Sequence, residues 1–185
     1  MDIEHTAYHE SGHAVMAYLC GNREFKRATI ERTAEAFGEV EISNTNIPTL
    51  DDHVTQAEYI GQLLAGELAA DCKRGEATTG LTQDKILVCE ILYWNMTGIW
   101  PQSFRNVLMV PDPDTTVVET IQWVIKASEQ ALHNIEAVTG DALIDNWSTV
   151  EALAGELLEK KSLEGHEVLS LLDSMIGPDA PRPFG

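Results

Sequence analysis

A chain of 185 residues with 44% hydrophobic content can bury one sizeable core and is too apolar to remain disordered. Its 12 basic and 30 acidic residues leave a formal charge of −18, which argues strongly against a nucleic-acid or anionic-membrane partner, since there is no basic surface to replace phosphate counterions. Three cysteines, Cys20, Cys72 and Cys89, with no C-x-x-C pair, fit a reducing compartment and small core residues better than a disulfide framework.

The first element is "TAYHESGHAVMAYLC". Its apolar positions recur at helical spacing and Gly21 follows as a stop, so a helix is expected over residues 5–20. "FKRATIERT" and "AFGEVEIS" alternate locally and read as two short strands joined through "AEA". "NTNIPTLDD" is a turn in which Asp51 or Asp52 can cap the next helix. That helix, "DDHVTQAEYIGQLLAGELAADCKR", carries an apolar stripe, and its small residues Ala65, Gly66, Ala69 and Ala70 permit close packing. "GEATTGLTQD" breaks it, and Thr82 caps the next. A Gly- and Pro-containing loop leads to a long helix expected from Thr115 to Val138. The last stretch reads as a helix, a bend near Ser162 and a final short helix, and "GPDAPRPFG" cannot continue it. No apolar run approaches the ~20 residues needed to cross a bilayer, and the acidic "MDIEHTAYHE" start is unlike a secretory signal.

The chemistry lies in H-E-x-x-H: His9, Glu10 and His13. Side chains four apart share one helix face, so both imidazoles can meet a single ion. Zinc takes such nitrogens plus a third protein ligand and leaves a place for water. Glu10 is placed to take a proton from that metal-bound water and pass it to a leaving amine. His5 extends the histidine stripe, but i and i+8 stand ~12 Å apart along the axis, too far to share one ion. The longer H-E-x-x-H-x-x-G-x-x-H pattern is absent, with Met16 and Leu19 at its Gly and His positions. His53, His133 and His166 stand alone and read as surface residues. On these residues the third ligand stays open, as does the reading of an ordinary helix with two histidines.

"TAYHESGHAV" closely resembles the "TAYHEAGHA" block of the FtsH family of membrane-anchored, ATP-dependent zinc metalloproteases. "RATIERTAEAFGEV", "LLAGELAADCKRGEATTGLTQDKI" and "ALIDNWSTVEALAGELLEKKSLEGHEV" resemble further family segments in the same order, so the likeness runs over residues 5–173. The resemblance implies a mainly α, helical zincin-like peptidase domain over residues 1–177, with a small β-hairpin or sheet near the N-terminal half and a flexible tail at 178–185. It also implies Zn2+ as cofactor. The third metal ligand it supplies is Asp84, at the aspartate of the family's "TTGASND". The implied function is a zinc-dependent metalloendopeptidase that cleaves unfolded polypeptides, with Glu10 as general base and the strand near Phe37–Ser43 as the substrate's edge. A homo-oligomer, a separate ATPase or family member as partner, and a cytoplasmic location, or the cytoplasmic face of a membrane, belong to the same implication.

Two departures qualify it. The family's paired glutamates in "AAEE" fall on Ala70 and Asp71, and no G-x-x-x-x-G-K-[ST] phosphate loop exists in the chain, so it has no P-loop ATPase of its own. The expected forms are therefore a free-standing protease-like protein or a fragment. The alternative reading is a catalytically weak or inactive metal-binding or assembly module, and a helical domain with a degenerate site stands behind that.

Overall fold

In a computed structural model of the chain, residues 2–32, 38–43, 53–79, 81–101, 104 and 115–184 are described. The joint at "AEA", Phe37, the cap at Asp51 or Asp52 and most of the 102–114 loop lie outside them.

Helix α1 (Ile3–Leu19) is the centre of the fold. Asp2 caps it, accepting from the Glu4 backbone N–H, and the chain stops turning at Cys20 and Gly21. From Ala14 to Leu19 every side chain is buried. A helix apolar all round must be wrapped by others. Strands β1 (Phe25–Thr29) and β2 (Glu39–Ile42) follow, then α2 (His53–Arg74) and α3 (Gln83–Thr97). Thr82 caps α3 by accepting from the Lys85 N–H, and Gly98 ends it in the left-handed region, as a residue without Cβ can. The chain closes with α4 (Thr115–Ala127), α5 (Glu129–Asp145), α6 (Trp147–Lys160), β3 (Ser162–Glu164) and α7 (Gly165–Met175). The architecture is mainly α with a small antiparallel sheet, as expected.

The tightest joint is between α1 and α2. A Cβ on Gly12 would strike the Ala65 carbonyl oxygen and come within 2.7 Å of the Ala69 Cβ. The two backbones therefore approach as closely as only a glycine allows. One core cluster gathers α1 with β1 and α5–α7, around Tyr18, Leu153, Leu157 and Leu172. A second joins α2, α3 and α4 around Ile60, Ile86, Ile91 and Ile121. Leu68 of α2 touches both, so α2 is the wall between them.

Two elements differ from expectation. The helix expected over Thr115–Val138 is two helices. They part at Ser128, whose N–H is shared between the Val124 and Ile125 carbonyls. Ile121 and Val124 of α4 lie in the second cluster, and α5 bridges the two, with Leu132 and Ile135 on the second and Leu143 in the first. The expected bend near Ser162 is instead a third strand. Lys161 adopts a left-handed conformation that ends α6, and β3 then pairs with β1, giving the sheet order β2-β1-β3. Of the three cysteines only Cys20 and Cys89 are buried, and Cys72 is exposed. The terminal segment packs on the body, with Arg182 on Glu58 at 3.4 Å and the Phe184 ring against Gly61. No helix among the described residues is long and apolar enough to cross a membrane.

Replacing Gly12 with Ala is expected to cost about 1–3 kcal/mol of stability, the usual penalty for overpacking a core. A denaturant titration reads it as a lower midpoint, whereas an unchanged midpoint would contradict the close joint.

Candidate metal centre

The α1–α2 joint sets the histidines. His9 and His13 leave α1 on the side facing α2, where Gly66 makes room: a Cβ there would collide with the His13 Nε2 and lie 2.8 Å from His9 Cε1. Asp84 arrives from elsewhere, in the first turn of α3, oriented by the Thr82 cap. The structure brings the three together. His9 Nε2 and His13 Nε2 are 3.0 Å apart, and Asp84 Oδ2 lies 3.2 Å from the first and 3.5 Å from the second. Among the described residues they form the one group of three His, Cys, Asp or Glu side chains that close to one another.

This donor set fits a cation. A carbonyl oxygen can only accept, so the His13 Nδ1, 2.7 Å from the Gln62 oxygen, carries the ring N–H. In the neutral ring, Nε2 is then a bare lone pair. It faces the His9 Nε2 and a carboxylate oxygen, three atoms able to serve as ligands to one cation. Tetrahedral ligands at ~2.0–2.1 Å from zinc stand about 3.3–3.4 Å from one another, close to the three sides observed.

Without an ion, a proton serves. Burial alone would lower the His13 pKa, but the hydrogen bond and charge of Asp84 outweigh it and lift it to about 9. Burial would raise Asp84, yet the hydrogen bonds and charges of His13 and His9 hold it well below the usual carboxylate range.

Glu10 lies in the same cleft, a space of about 600 Å³ bounded by α1, α2, the start of α3 and β2. It is only 5% exposed, and Gly38 beside β2 passes close against its carboxylate. Burial raises its pKa, and the neighbouring His13 and His9 offset part of that rise. A carboxyl moved toward neutrality is suited to both accepting and returning a proton. His5 borders the cleft but is not in the cluster of three, and burial, aided by Arg74, lowers its pKa. His133 and His166 are exposed.

The positions of Ala70 and Asp71 have a visible consequence. Asp71 is engaged by Arg74 and Thr78, at 2.6–2.8 Å. The His9 Nδ1 is buried with no hydrogen-bond partner. His13 thus has an orienting acceptor and His9 has none. Sequence reasoning missed the Gln62 carbonyl, because a backbone group leaves no side-chain signature. It also missed Glu67, a buried acid on the cleft wall. The cue for Gly66 was present in the small-residue run of α2.

No family model matches the chain. It is 27% identical over 200 residues to the ATP-dependent zinc metalloprotease FtsH of Acidimicrobium ferrooxidans, which covers 97% of this chain and 30% of that protein. It is 25% identical over 169 residues to FtsH 2 of a Thermoanaerobacter species, covering 89% of this chain and 32% of the relative. It is 27% identical over 191 residues to FtsH of Haemophilus influenzae, covering 92% and 29% respectively. The chain spans about three-tenths of the length of the curated relatives it matches. Over nearly its whole length, then, this chain is similar to one part of the FtsH-type ATP-dependent zinc metalloproteases.

Proposed function

We propose that the chain is a zinc-dependent metalloendopeptidase acting on unfolded polypeptides, with His9, His13 and Asp84 holding the metal and Glu10 as the general base. The observation that carries this reading is the convergence of three potential ligand atoms within 3.5 Å of one another, beside a buried carboxyl group. Zinc held there supplies Lewis acidity toward a peptide carbonyl and makes a water molecule acidic near neutral pH.

The chain's own groups do the rest. Gln62 fixes the His13 tautomer through its backbone carbonyl. Glu10 takes the proton of the attacking water on a carboxylate oxygen and returns it to the amine nitrogen as the C–N bond breaks. Strand β2 is one of the two outer strands of the sheet among the described residues and runs along the cleft. An extended peptide can pair with it, main chain to main chain, which favours a substrate already unfolded. Such a substrate fits a separate ATPase that unfolds it, a cytoplasmic setting and an oligomeric assembly.

A specific observation also favours the second reading, a metal-holding assembly module of low activity. Removing the partner on the far nitrogen of a metal-binding histidine typically costs about 10–100-fold in affinity or activity, and His9 Nδ1 has none. Bound zinc with no turnover of any unfolded peptide would favour the module.

Changing Glu10 to Gln is expected to lower zinc-dependent casein cleavage by about 10²–10⁴-fold while metal content stays at the native level. Cleavage that survives the change would remove Glu10 from the role of base. Changing Asp84 to Ala is expected to lower zinc retained after dialysis at neutral pH, and unchanged stoichiometry would break the ligand assignment.

Zinc must displace the proton that His13 holds below about pH 9. Affinity is therefore expected to rise about tenfold per pH unit as pH climbs toward about 9 and then to level off. Calorimetry at pH 7.5 in buffers of different ionisation enthalpy should show about one proton released per zinc bound. No proton release at that pH would contradict a His13 protonated by its pairing with Asp84.

A further inference from the structure

The acids of the cleft are not equivalent. Glu10 and Asp84 belong to the proposed reaction centre, and Glu39 pairs with Arg27 on the exposed face of the sheet, at 3.3 Å. Glu67 remains. Its side chain is 9% exposed, and one oxygen, Oε2, takes the Lys85 ammonium at 2.6 Å. The other, Oε1, is buried with no hydrogen-bond partner. A buried carboxylate oxygen without a donor is costly, and few native structures retain one without use.

Its surroundings describe what would satisfy it. Glu67, Leu63 and Tyr59 follow one another at four-residue intervals on the cleft side of α2. Four helical residues rise ~6 Å, about the reach of a lysine stem, and such stems lie along apolar surface while their charged heads seek polar partners. Among the described residues that border the cleft, none is Lys or Arg, and Lys85 reaches Glu67 from outside that lining.

We infer that the cleft selects a basic side chain of the peptide, its stem lying along Leu63 and its ammonium or guanidinium donating to Glu67 Oε1. This rests on the peptidase reading for the identity of the ligand as a peptide. Glu67 is then a specificity-determining residue, with Lys85 holding its second oxygen and setting its direction.

The test uses the full chain and a set of fluorescent unfolded peptides, identical except for Lys, Gln or Glu scanned along the sequence. Binding is read by anisotropy on the Glu10→Gln protein at 0.15 M salt, where long-range attraction to the acidic surface is largely screened. Cleavage is read separately on the native protein. At one position of the scan, the Lys peptide should bind about tenfold or more tighter than its Glu counterpart, as a charge-assisted hydrogen bond gives. Adding Glu67→Gln should reduce that preference to about threefold or less. Adding Lys85→Gln, which leaves the Glu67 charge unshared, should widen it. No preference at any position, or a preference unchanged in both variants, overturns the inference. If Glu67→Gln does not fold, Lys85→Gln decides alone, and an unchanged preference overturns it. Lys-selective binding with no cleavage of any peptide would sink the peptidase reading and leave this one standing. Cleavage without selectivity would do the reverse.

Discussion

The close crossing of α1 and α2 is the constraint on which the rest depends. Gly12 lets the backbone of one helix touch the carbonyl of the other, and Gly66 leaves the space that the two imidazole rings fill. Were either helix to stand off by the width of a methyl group, His13 would lose the Gln62 carbonyl that fixes its tautomer. The same crossing makes α2 a wall between two core clusters, so the cleft is lined by elements that each have a core behind them. A site built on packed helices keeps its geometry better than one built on loops.

Electrostatics then set the chemistry. Two imidazole nitrogens and a carboxylate oxygen crowd one point, and the hydrogen bond and charge of Asp84 favour a proton on His13 there. The folded state thereby holds a site in tension, ready to exchange that proton for a cation. Beside these groups, burial moves Glu10 in the direction useful for proton transfer. The support is uneven. His13 leans on a carbonyl, His9 on nothing, and Asp71 is engaged elsewhere by Arg74 and Thr78. Zinc in this chain would therefore be held with less second-sphere help than two well-oriented imidazoles provide.

Much of the fold was legible in the sequence because its cues are local. Periodicity with Gly21 gave α1, Thr82 gave the start of α3, and the run of small residues gave the close packing of α2. What stayed hidden was tertiary in origin. Nothing in "KASEQ" marks the break at Ser128, beyond which α5 packs Leu132 and Ile135 on the second cluster and Leu143 in the first. A three-residue strand at Ser162–Glu164 is too short to show alternation, and only the presence of β1 beside it makes it a strand. For the site, the helical spacing of His9 and His13 was readable by itself. Asp84 was not: a carboxylate in the first turn of a helix has an ordinary role with the backbone N–H groups, and only the resemblance singled it out. Glu67 was invisible, since an acid on an amphipathic helix normally faces water and this one is buried.

The central claim is that one cation binds where α1 and α3 meet. Anomalous diffraction from crystals of the zinc-loaded protein, collected on both sides of the zinc absorption edge, tests it most directly. The account predicts a single strong peak within coordinating distance of His9 Nε2, His13 Nε2 and an Asp84 oxygen. A peak at other residues, or none at this cluster with zinc in excess, would contradict it.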